Sequence, residues 1–174
     1  MLLTTFYGQT TKRVRQDTSL QKQLSTFRQT FWDSLPQPSG WINDFEGLYE
    51  DEDELVLDRI VSIFKSETGI EVAIVTLDTI YTTKDKFNEL TLRVANKWGV
   101  GEIGKDNGIL IGISRGYRKI RINNGLGIEK LISDTETRVI IDNYFIPYFK
   151  KGKYYDGTLT GLTELIKLLK TKLK

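Results

Sequence analysis

The chain has 174 residues, of which 39% are hydrophobic and 28% are charged, and its formal net charge is +2. These values are ordinary for one globular domain with an appendage, and the small net charge argues against nucleic-acid binding. The absence of cysteine and histidine excludes thiol chemistry, Ser-His-Asp hydrolysis, phosphohistidine intermediates and the usual zinc sites. No apolar stretch reaches the length of about 18 residues that a membrane-spanning helix needs, so we expect no membrane span.

The first 40 residues are expected to lie outside the main domain. Residues 1–16 are interpreted either as a disordered start or as the remnant of a signal peptide that ends near Gly8. Residues 17–40 predict an amphipathic helix followed by a Pro/Gly linker. The apolar stripe of that helix contains Leu20, Leu24, Phe27 and Phe31. Two interpretations of the stripe stay open: the helix packs on its own domain, or it is an arm that binds a partner.

The main domain, residues 41–174, begins with a short extended segment and then a helix with Asp51 as its N-cap. The apolar, β-branched run at 71–77 predicts a strand that is covered on both faces. A second helix is predicted over 84–98, with Gly99 just beyond its end, and a second strand over 109–113. The order strand, helix, strand predicts a parallel crossover.

The segment after that crossover predicts a hairpin. The strand at 109–113 is followed by a turn at 114–117 and by a second strand at 119–124. Ser133 and Glu136 form a capping-box pair for a third helix, which we expect to stop at Pro147. An amphipathic helix with apolar residues between Leu159 and Leu169 closes the chain.

The segment Gly99–Gly104 matches the G-x-G-x-x-G pattern of dinucleotide-binding proteins. That pattern needs a strand before it and a helix after it, so that the phosphates meet helix amides. Here a predicted helix precedes the pattern and a predicted strand follows it. We therefore expect no nucleotide at this loop.

An oxygen-rich cluster is predicted at one end of the hairpin. Asp106 and Asn107 precede the first strand, and a hairpin places them beside Asn123, Asn124 and the loop at 125–127. Glu129 and Asp134 follow within a few residues. Oxygen ligands of this kind suit a hard divalent cation. Two simpler interpretations remain, because Asp-Asn-Gly is ordinary turn chemistry and Asp134 is expected at a helix N-terminus.

Four basic residues lie on the hairpin: Arg115, Arg118, Lys119 and Arg121. They could bind a phosphate or another anionic surface. Alternating charge on the solvent face of an edge strand explains them more simply, because it blocks pairing with other sheets.

Several motifs of the chain, in their order, together resemble the TPM domain. This is the family of the thylakoid-lumen proteins linked to photosystem II repair, and it has many bacterial members. The resemblance extends from about Ile42 to Leu169 and rests on Asn43-Asp44 with Gly47-Leu48, residues 68–75, 98–101, 105–110 and 125–129, Asp134, residues 147–149, Gly152 and Tyr154.

The resemblance implies a three-layer α/β sandwich: a central mixed sheet with helices on both faces, here with an appended N-terminal helix. It also implies export or membrane tethering, and association with calcium or another divalent cation. By position, the family's acidic cluster corresponds to Asp44, Asp106, Asn107, Glu129 and Asp134. Asp78 is a weaker member, because parallel strands would place it at the opposite end from Asp106. The chain lacks the C-terminal transmembrane helix of many relatives, which weakens the expectation of tethering.

Two functional hypotheses follow. In the first, the chain is an exported, periplasmic binding or assembly module whose acidic loops hold Ca²⁺, with Mg²⁺ or another divalent cation as the alternative, and whose partner is a protein or a subunit of a membrane complex. In the second, it is a metal-dependent acid phosphatase, in which Asp106, Glu129 and Asp134 hold the cation and Arg121 or Lys105 neutralises developing charge. We favour the first, because no residue is compelled to act as a nucleophile or general acid. The residues themselves leave a cytoplasmic location open.

Overall fold

A computed structural model describes the backbone of residues 3–174 and the side chains of residues 17–174. Its strands are β1 (Ile42–Asp44), β2 (Glu71–Thr76), β3 (Gly108–Ser114) and β4 (Lys119–Asn124). Its α-helices are α1 (Leu3–Asp33), α2 (Asp51–Thr68), α3 (Phe87–Trp98), α4 (Leu126–Glu129), α5 (Asp134–Ile140), α6 (Ile146–Phe149) and α7 (Tyr154–Lys172).

The four strands form one mixed sheet in the order β1-β2-β3-β4. The pairs β1–β2 and β2–β3 are parallel and the pair β3–β4 is antiparallel. The predicted parallel crossover and the predicted hairpin are therefore both confirmed. The hairpin register pairs Ile109 with Asn124 and Ser114 with Lys119.

Helices cover both faces of the sheet, because successive side chains of each strand point to opposite faces. On one face, Val72, Ile74 and Ile111 pack in a core with residues of α2 and α7. On the other face, Ala73 and Val75 pack in a core with α3 and the end of α1. The architecture is the expected three-layer α/β sandwich with an appended N-terminal helix.

The C-terminal end of α1 packs on its own domain. The Phe31 ring contacts the Tyr81 ring at a tilt, with centroids 4.5 Å apart, and Leu35 is buried in the core on the α3 face. Phe27, which is 45% exposed, still has its ring 5.8 Å from that of Tyr81, whereas Leu20, farther toward the N-terminus, is 58% exposed. The interpretation as a helix packed on its own domain therefore holds for the last turns only.

Helix α1 begins earlier than the periodicity from residue 17 indicated. The side chains of residues 1–16 lie outside the described residues, so disorder or a signal-peptide remnant in this segment stays a prediction. Across the described residues, no helix has the length and apolar character that crossing a membrane would require.

Two predicted helix ends were wrong in detail. The N-cap of α2 is Glu50, which forms a capping box with Asp53, so Asp51 is already inside the helix. Pro147 does not stop the third helix. That helix continues from α5 through a π-helical turn at Ile141–Phe145 into α6. Pro147 lies in the first turn of α6, a position at which a residue without a backbone N–H is tolerated.

Candidate functional site

The strand register divides the five predicted ligands between two edges of the sheet. Asp44 pairs with Thr76 at the carboxyl end of β2, whereas Glu71 at its amino end pairs with Gly108. The six residues of β2 span roughly 17–20 Å at about 3.3 Å per residue. Asp44 therefore lies at the carboxyl edge and Asp106 and Asn107 lie at the amino edge, so the single oxygen-rich cluster does not form.

At the amino edge the expected approach of two loops is confirmed. The N–H of Gly127 donates to the carbonyl oxygen of Asp106 at 3.0 Å, and Asp106 has a left-handed φ of 50°. Asn107 has a structural role: its amide nitrogen donates to the Gly69 carbonyl at 2.7 Å, and its amide oxygen accepts the Glu102 N–H at 2.7 Å. The loop interpretation of Asp-Asn-Gly therefore explains Asn107.

The remaining amino-edge carboxylates stay apart from this loop contact. Glu129 and Asp134 are exposed, and Asp134 is the first residue of α5, where the helix dipole favours an acid. Within residues 17–174, no group of three or more Asp and Glu side chains lies close enough to hold a metal ion. Two polar atoms nearby are buried without a partner in the described structure, the Nδ2 atom of Asn123 and the Oδ1 atom of Asn124.

At the carboxyl edge, Asp44 closes the loop that follows β1. Its Oδ2 atom accepts the N–H groups of Leu48 at 2.6 Å and Tyr49 at 2.9 Å. Its Oδ1 atom accepts the hydroxyl of Thr76, and the Thr76 oxygen in turn accepts the N–H of Glu46 at 2.9 Å. One carboxylate thus holds the loop and joins it to β2.

Glu46 links the same loop to the tip of the hairpin. Its two carboxylate oxygens accept the N–H groups of Arg115 at 2.7 Å and Gly116 at 2.9 Å. Partial burial raises the pKa of Glu46, and the nearby Asp78 charge raises it further, although the two N–H groups and the Arg115 charge oppose that rise. Asp78 therefore lies on the Glu46 side of the sheet, opposite Asp106, as parallel strands require.

Negative charge accumulates around this edge. Burial first, and then the charges of Asp44 and Asp51, raise the pKa of Glu54. Burial also raises the pKa of Tyr49, to which the Asp44, Glu54 and Glu46 charges add, while the Tyr49 hydroxyl bonds the Thr158 hydroxyl at 2.9 Å. Burial is the main cause of these raised pKa values, and the smaller contribution from neighbouring carboxylates is the part that a bound cation would relieve.

Two cations act on a tyrosine close to the acidic group. Burial and then the Glu46 charge raise the pKa of Tyr154, whereas the charges of Arg115 and Arg118 lower it. Lys119 has another role: its ammonium donates to the Lys84 carbonyl at 2.7 Å and lies 5.9 Å from the centre of the Phe87 ring. The basic residues of the hairpin therefore do not share one role.

Sequence reasoning missed Glu46. The sequence did contain the information needed to find Glu46. The hairpin that places residue 106 beside residue 125 also places residues 114–116 at the opposite edge of the sheet, which is the edge where the loop after β1 begins. Ligands of open parallel sheets commonly bind outside the carboxyl ends of the strands. The hairpin geometry and the usual position of ligands at the carboxyl ends of strands together indicate the loop at 44–49 and the hairpin tip as the candidate site.

The G-x-G-x-x-G loop has the structural role expected of it. Gly99 ends α3 in a left-handed conformation with φ of 63°, and β3 follows from Gly108. No helix opens at this loop, so the helix amides that a dinucleotide phosphate needs are missing at that position.

The model of the TPM domain family matches residues 42–168 of this chain. The chain belongs to the TPM domain family. The match begins at β1 and ends within α7, so it includes the sheet and both of its edges. Helix α1 lies outside it. No curated protein matches the chain.

Solved bacterial structures share the TPM fold. The solution NMR structure of the N-terminal domain of a P. gingivalis protein has a TM-score of 0.69 and 29% identity, with 76% of this chain and 83% of that chain covered. BA42 from Bizionia argentinensis has a TM-score of 0.63 and 19% identity, covering 74% and 86% of the two chains. The N-terminal domain of a Corynebacterium glutamicum protein has a TM-score of 0.56 and 13% identity, covering 77% and 82%.

Glu46 is expected to make this TPM domain more stable on mild acidification. A carboxyl group whose pKa is raised by folding binds its proton more tightly in the native state, so its contribution to stability is complete below the unfolded pKa and is lost as the pH rises through the folded pKa. From neutral pH down to about 4.5, the unfolding free energy of wild type should therefore rise relative to Glu46→Gln.

Urea denaturation of both proteins across this pH range measures the difference. The Glu46 side-chain carboxyl resonance, followed by NMR, should titrate above the unfolded value. A difference that shrinks as the pH falls would contradict the prediction.

Proposed function

We propose that this TPM domain is a binding or assembly module that works outside the cytoplasm, holds a divalent cation, calcium, in its acidic loops, and thereby orders a surface for a protein partner or membrane-complex subunit. The extracytoplasmic location rests on the family resemblance. The cation rests on the acidic group at the carboxyl edge.

The observation that carries the cation proposal is the joining of Asp44 and Glu46 in one hydrogen-bonded loop through the Thr76 hydroxyl. Burial is the main cause that raises the pKa of Glu54 and of Glu46, and the charges of Asp44 and Asp78, respectively, add to it. A cation beside these carboxylates would relieve that added repulsion. The donor set fits a hard cation, since carboxylate and hydroxyl oxygens are what calcium binds in proteins.

We assign the ligand role at this edge to Asp44 and Glu46, assisted by the Thr76 hydroxyl. Each oxygen has two lone pairs, and Asp44 Oδ1 accepts only one hydrogen bond in the described structure. A calcium ion bound at this edge would order the loop at 44–49 and the hairpin tip, because Glu46 already joins the two.

The rival site is the amino edge, with Asp106, Asn107, Glu129 and Asp134 as ligands. Within the described residues, the carboxylates of Asp106, Glu129 and Asp134 make no hydrogen bond or ion pair, so their oxygens are available. At the carboxyl edge, by contrast, the Thr76 hydroxyl links the Asp44 carboxylate to the Glu46 backbone, and the carboxyl edge is therefore the stronger candidate.

A calcium titration separates the two edges. Amide resonances of Asp44, Glu46 and Thr76 should shift, and the thermal midpoint should rise with calcium as for any ligand that binds the native state. Asp44→Asn should weaken calcium binding at least about tenfold, because one ligand charge is lost. Asp106→Asn, the matched control, should bind as wild type does.

Two results would contradict this proposal. The absence of any calcium-dependent shift would remove the cation site altogether. Shifts confined to residues 106, 107, 129 and 134, with Asp106→Asn defective and Asp44→Asn normal, would move the site to the amino edge.

One observation favours the alternative of a metal-dependent acid phosphatase. Arg115 lies at the hairpin tip, where its N–H donates to the Glu46 carboxylate at 2.7 Å, and the charges of Arg115 and Arg118 lower the pKa of Tyr154, so guanidinium groups at this tip could hold a phosphate monoester. Asp44→Asn should then lose hydrolysis of a generic phosphate ester along with calcium affinity. Equal hydrolysis by wild type and Asp44→Asn would argue that the activity lies elsewhere.

A further inference from the structure

The last turns of α1 contact the loop that carries the two assigned cation ligands. Phe45 lies between Asp44 and Glu46 in the sequence, and its side chain packs against the core on the α3 face. The Phe31 ring of α1 meets the Phe45 ring edge to face, with centroids 6.4 Å apart and ring planes at 82°. Edge-to-face packing is a favoured geometry for aromatic pairs, so α1 helps to hold Phe45 in place.

Tyr81, in the loop between β2 and α3, joins the rings of α1 to Phe45. Its ring centroid lies 6.0 Å from that of Phe45, 4.5 Å from that of Phe31 and 5.8 Å from that of Phe27. The four rings form one group, which we name the aromatic cluster: Phe27, Phe31, Phe45 and Tyr81. Helix α1 supplies two of the four rings, so the aromatic cluster is complete only while α1 is docked.

A hydrogen bond connects α1 to the hairpin tip by a second route. Arg28 Nη2 donates to the carbonyl oxygen of Thr79 at 2.7 Å. Thr79 lies against the tip, because a Cβ atom on Gly116 would come within 2.5 Å of the Thr79 methyl group. The Gly116 N–H is one of the two donors to the Glu46 carboxylate. Both routes from α1 therefore end at the loop that contains Asp44 and Glu46.

The contact of α1 with the domain is limited in extent. Leu20 is 58% exposed and Phe27 is 45% exposed, so the apolar stripe is covered only near its end. An element held by few buried side chains opens locally at a lower free energy than the core of the sheet does. Docking of α1 is therefore an equilibrium that a change at the carboxyl edge can shift.

We propose that α1 is a regulatory strap for the carboxyl edge. Docked α1 orders the loop at 44–49, and a cation bound by Asp44 and Glu46 strengthens the docking of α1. The cation fixes the backbone on both sides of Phe45, whereas the aromatic cluster fixes the Phe45 ring, so each event favours the other. This inference rests on the proposed cation site. Linkage makes it reciprocal: α1 docking and calcium binding strengthen each other by the same factor.

Calcium titrations of the full chain and its variants test the coupling. Phe31→Ala removes the ring that contacts both Phe45 and Tyr81, and it should weaken calcium binding at least about fivefold. Leu20→Ala is the matched control on the same helix, and it should bind calcium as wild type does. Arg28→Met leaves the aromatic cluster intact and removes the hydrogen bond to the domain, so it should weaken calcium binding in the same direction by a smaller factor.

Amide hydrogen exchange measures the docking of α1 directly. A helical segment without packing is only marginally stable in water, so undocked turns exchange faster. Saturating calcium should slow the exchange of amides 28–33 at least about fivefold, whereas amides 17–22 should not respond. In calcium-free buffer, Phe31→Ala should speed the exchange of the Leu48 and Tyr49 amides, which close the loop after β1. Circular dichroism verifies that each variant folds.

The results separate this inference from the cation proposal. If calcium shifts the Thr76 amide but Phe31→Ala binds calcium as wild type does, the coupling is wrong and the cation site remains. If calcium shifts no resonance, the cation site and the coupling are both wrong, even where Phe31→Ala speeds exchange in the loop at 44–49. A loss of calcium affinity in Leu20→Ala as large as that in Phe31→Ala would also contradict the coupling, because it would not depend on the aromatic cluster.

Discussion

Alanine at position 44 is expected to lower the free energy of unfolding by about 3 kcal/mol, whereas asparagine there should lower it by less than about 1 kcal/mol. Alanine leaves the N–H groups of Leu48 and Tyr49 without their acceptor and removes the bond from Thr76. Hydrogen bonds to a charged group contribute about 1.5–3 kcal/mol each, and part of that loss is regained from water at this half-buried loop.

Asparagine can keep most of the network. Its amide oxygen can accept the two N–H groups, and its NH₂ group can donate to the Thr76 oxygen in place of the hydroxyl bond that Asp44 now accepts. The pair of variants therefore separates two roles of one carboxylate, since alanine tests the loop and asparagine tests the charge.

Urea denaturation in calcium-free buffer measures both values. Thr76→Val is a useful control, because it removes the hydroxyl bond to Asp44 and the acceptor of the Glu46 N–H but leaves the two N–H bonds of Asp44 in place, so its loss should lie between the other two. Equal losses for alanine and asparagine would show that the negative charge, rather than the acceptor geometry, holds the loop.

The fold was accessible from sequence because its signals are local and repeated. The run at 71–77 is apolar on both faces, which only a covered strand explains, and the helices have stripes of 3.6-residue period. The turn at 114–117 predicted the hairpin, and the structure adds its register, with Ser114 opposite Lys119. Helix ends were less predictable, since Glu50 and Asp51 are equally good caps by type and packing chooses between them.

The site was less accessible because a ligand set depends on which strand ends share an edge. The hairpin correctly predicted that Asp106 lies beside the loop at 125–127. Asp44 came from family position alone, and its parallel pairing with Thr76 assigns it to the opposite edge. Glu46 lies in a loop without any local pattern, so only the assembled topology brings it to Arg115 and Gly116.

The effect of alanine at position 108 is expected to be larger than that of any other substitution considered above. A Cβ atom on Gly108 would overlap the Val100 carbonyl oxygen and lie 2.7 Å from the Gly101 nitrogen. Both are backbone atoms that no rotamer change can move, so the loop at 99–107 must shift away from the start of β3. We expect a loss of at least about 4 kcal/mol, a large part of the stability of an ordinary domain.

Two other glycines of the chain provide reference values for this loss of unfolding free energy. Gly104 has a left-handed φ of 82° with nothing within 4 Å of its Cβ position, so Gly104→Ala should cost about 1–2 kcal/mol from backbone strain alone. Gly40 meets only Asp58 Oδ1 at 3.6 Å, so Gly40→Ala should change stability by less than about 1 kcal/mol. Thermal and urea unfolding of the three variants, beside wild type, give the ranking.

If Gly108→Ala were as stable as Gly104→Ala, the contact between Val100 and Gly108 would have to be loose. If instead Gly108→Ala loses the most stability, Gly104→Ala less and Gly40→Ala least, the large loss is explained by the overlap of a Cβ atom with the Val100 carbonyl group rather than by any general cost of replacing a glycine.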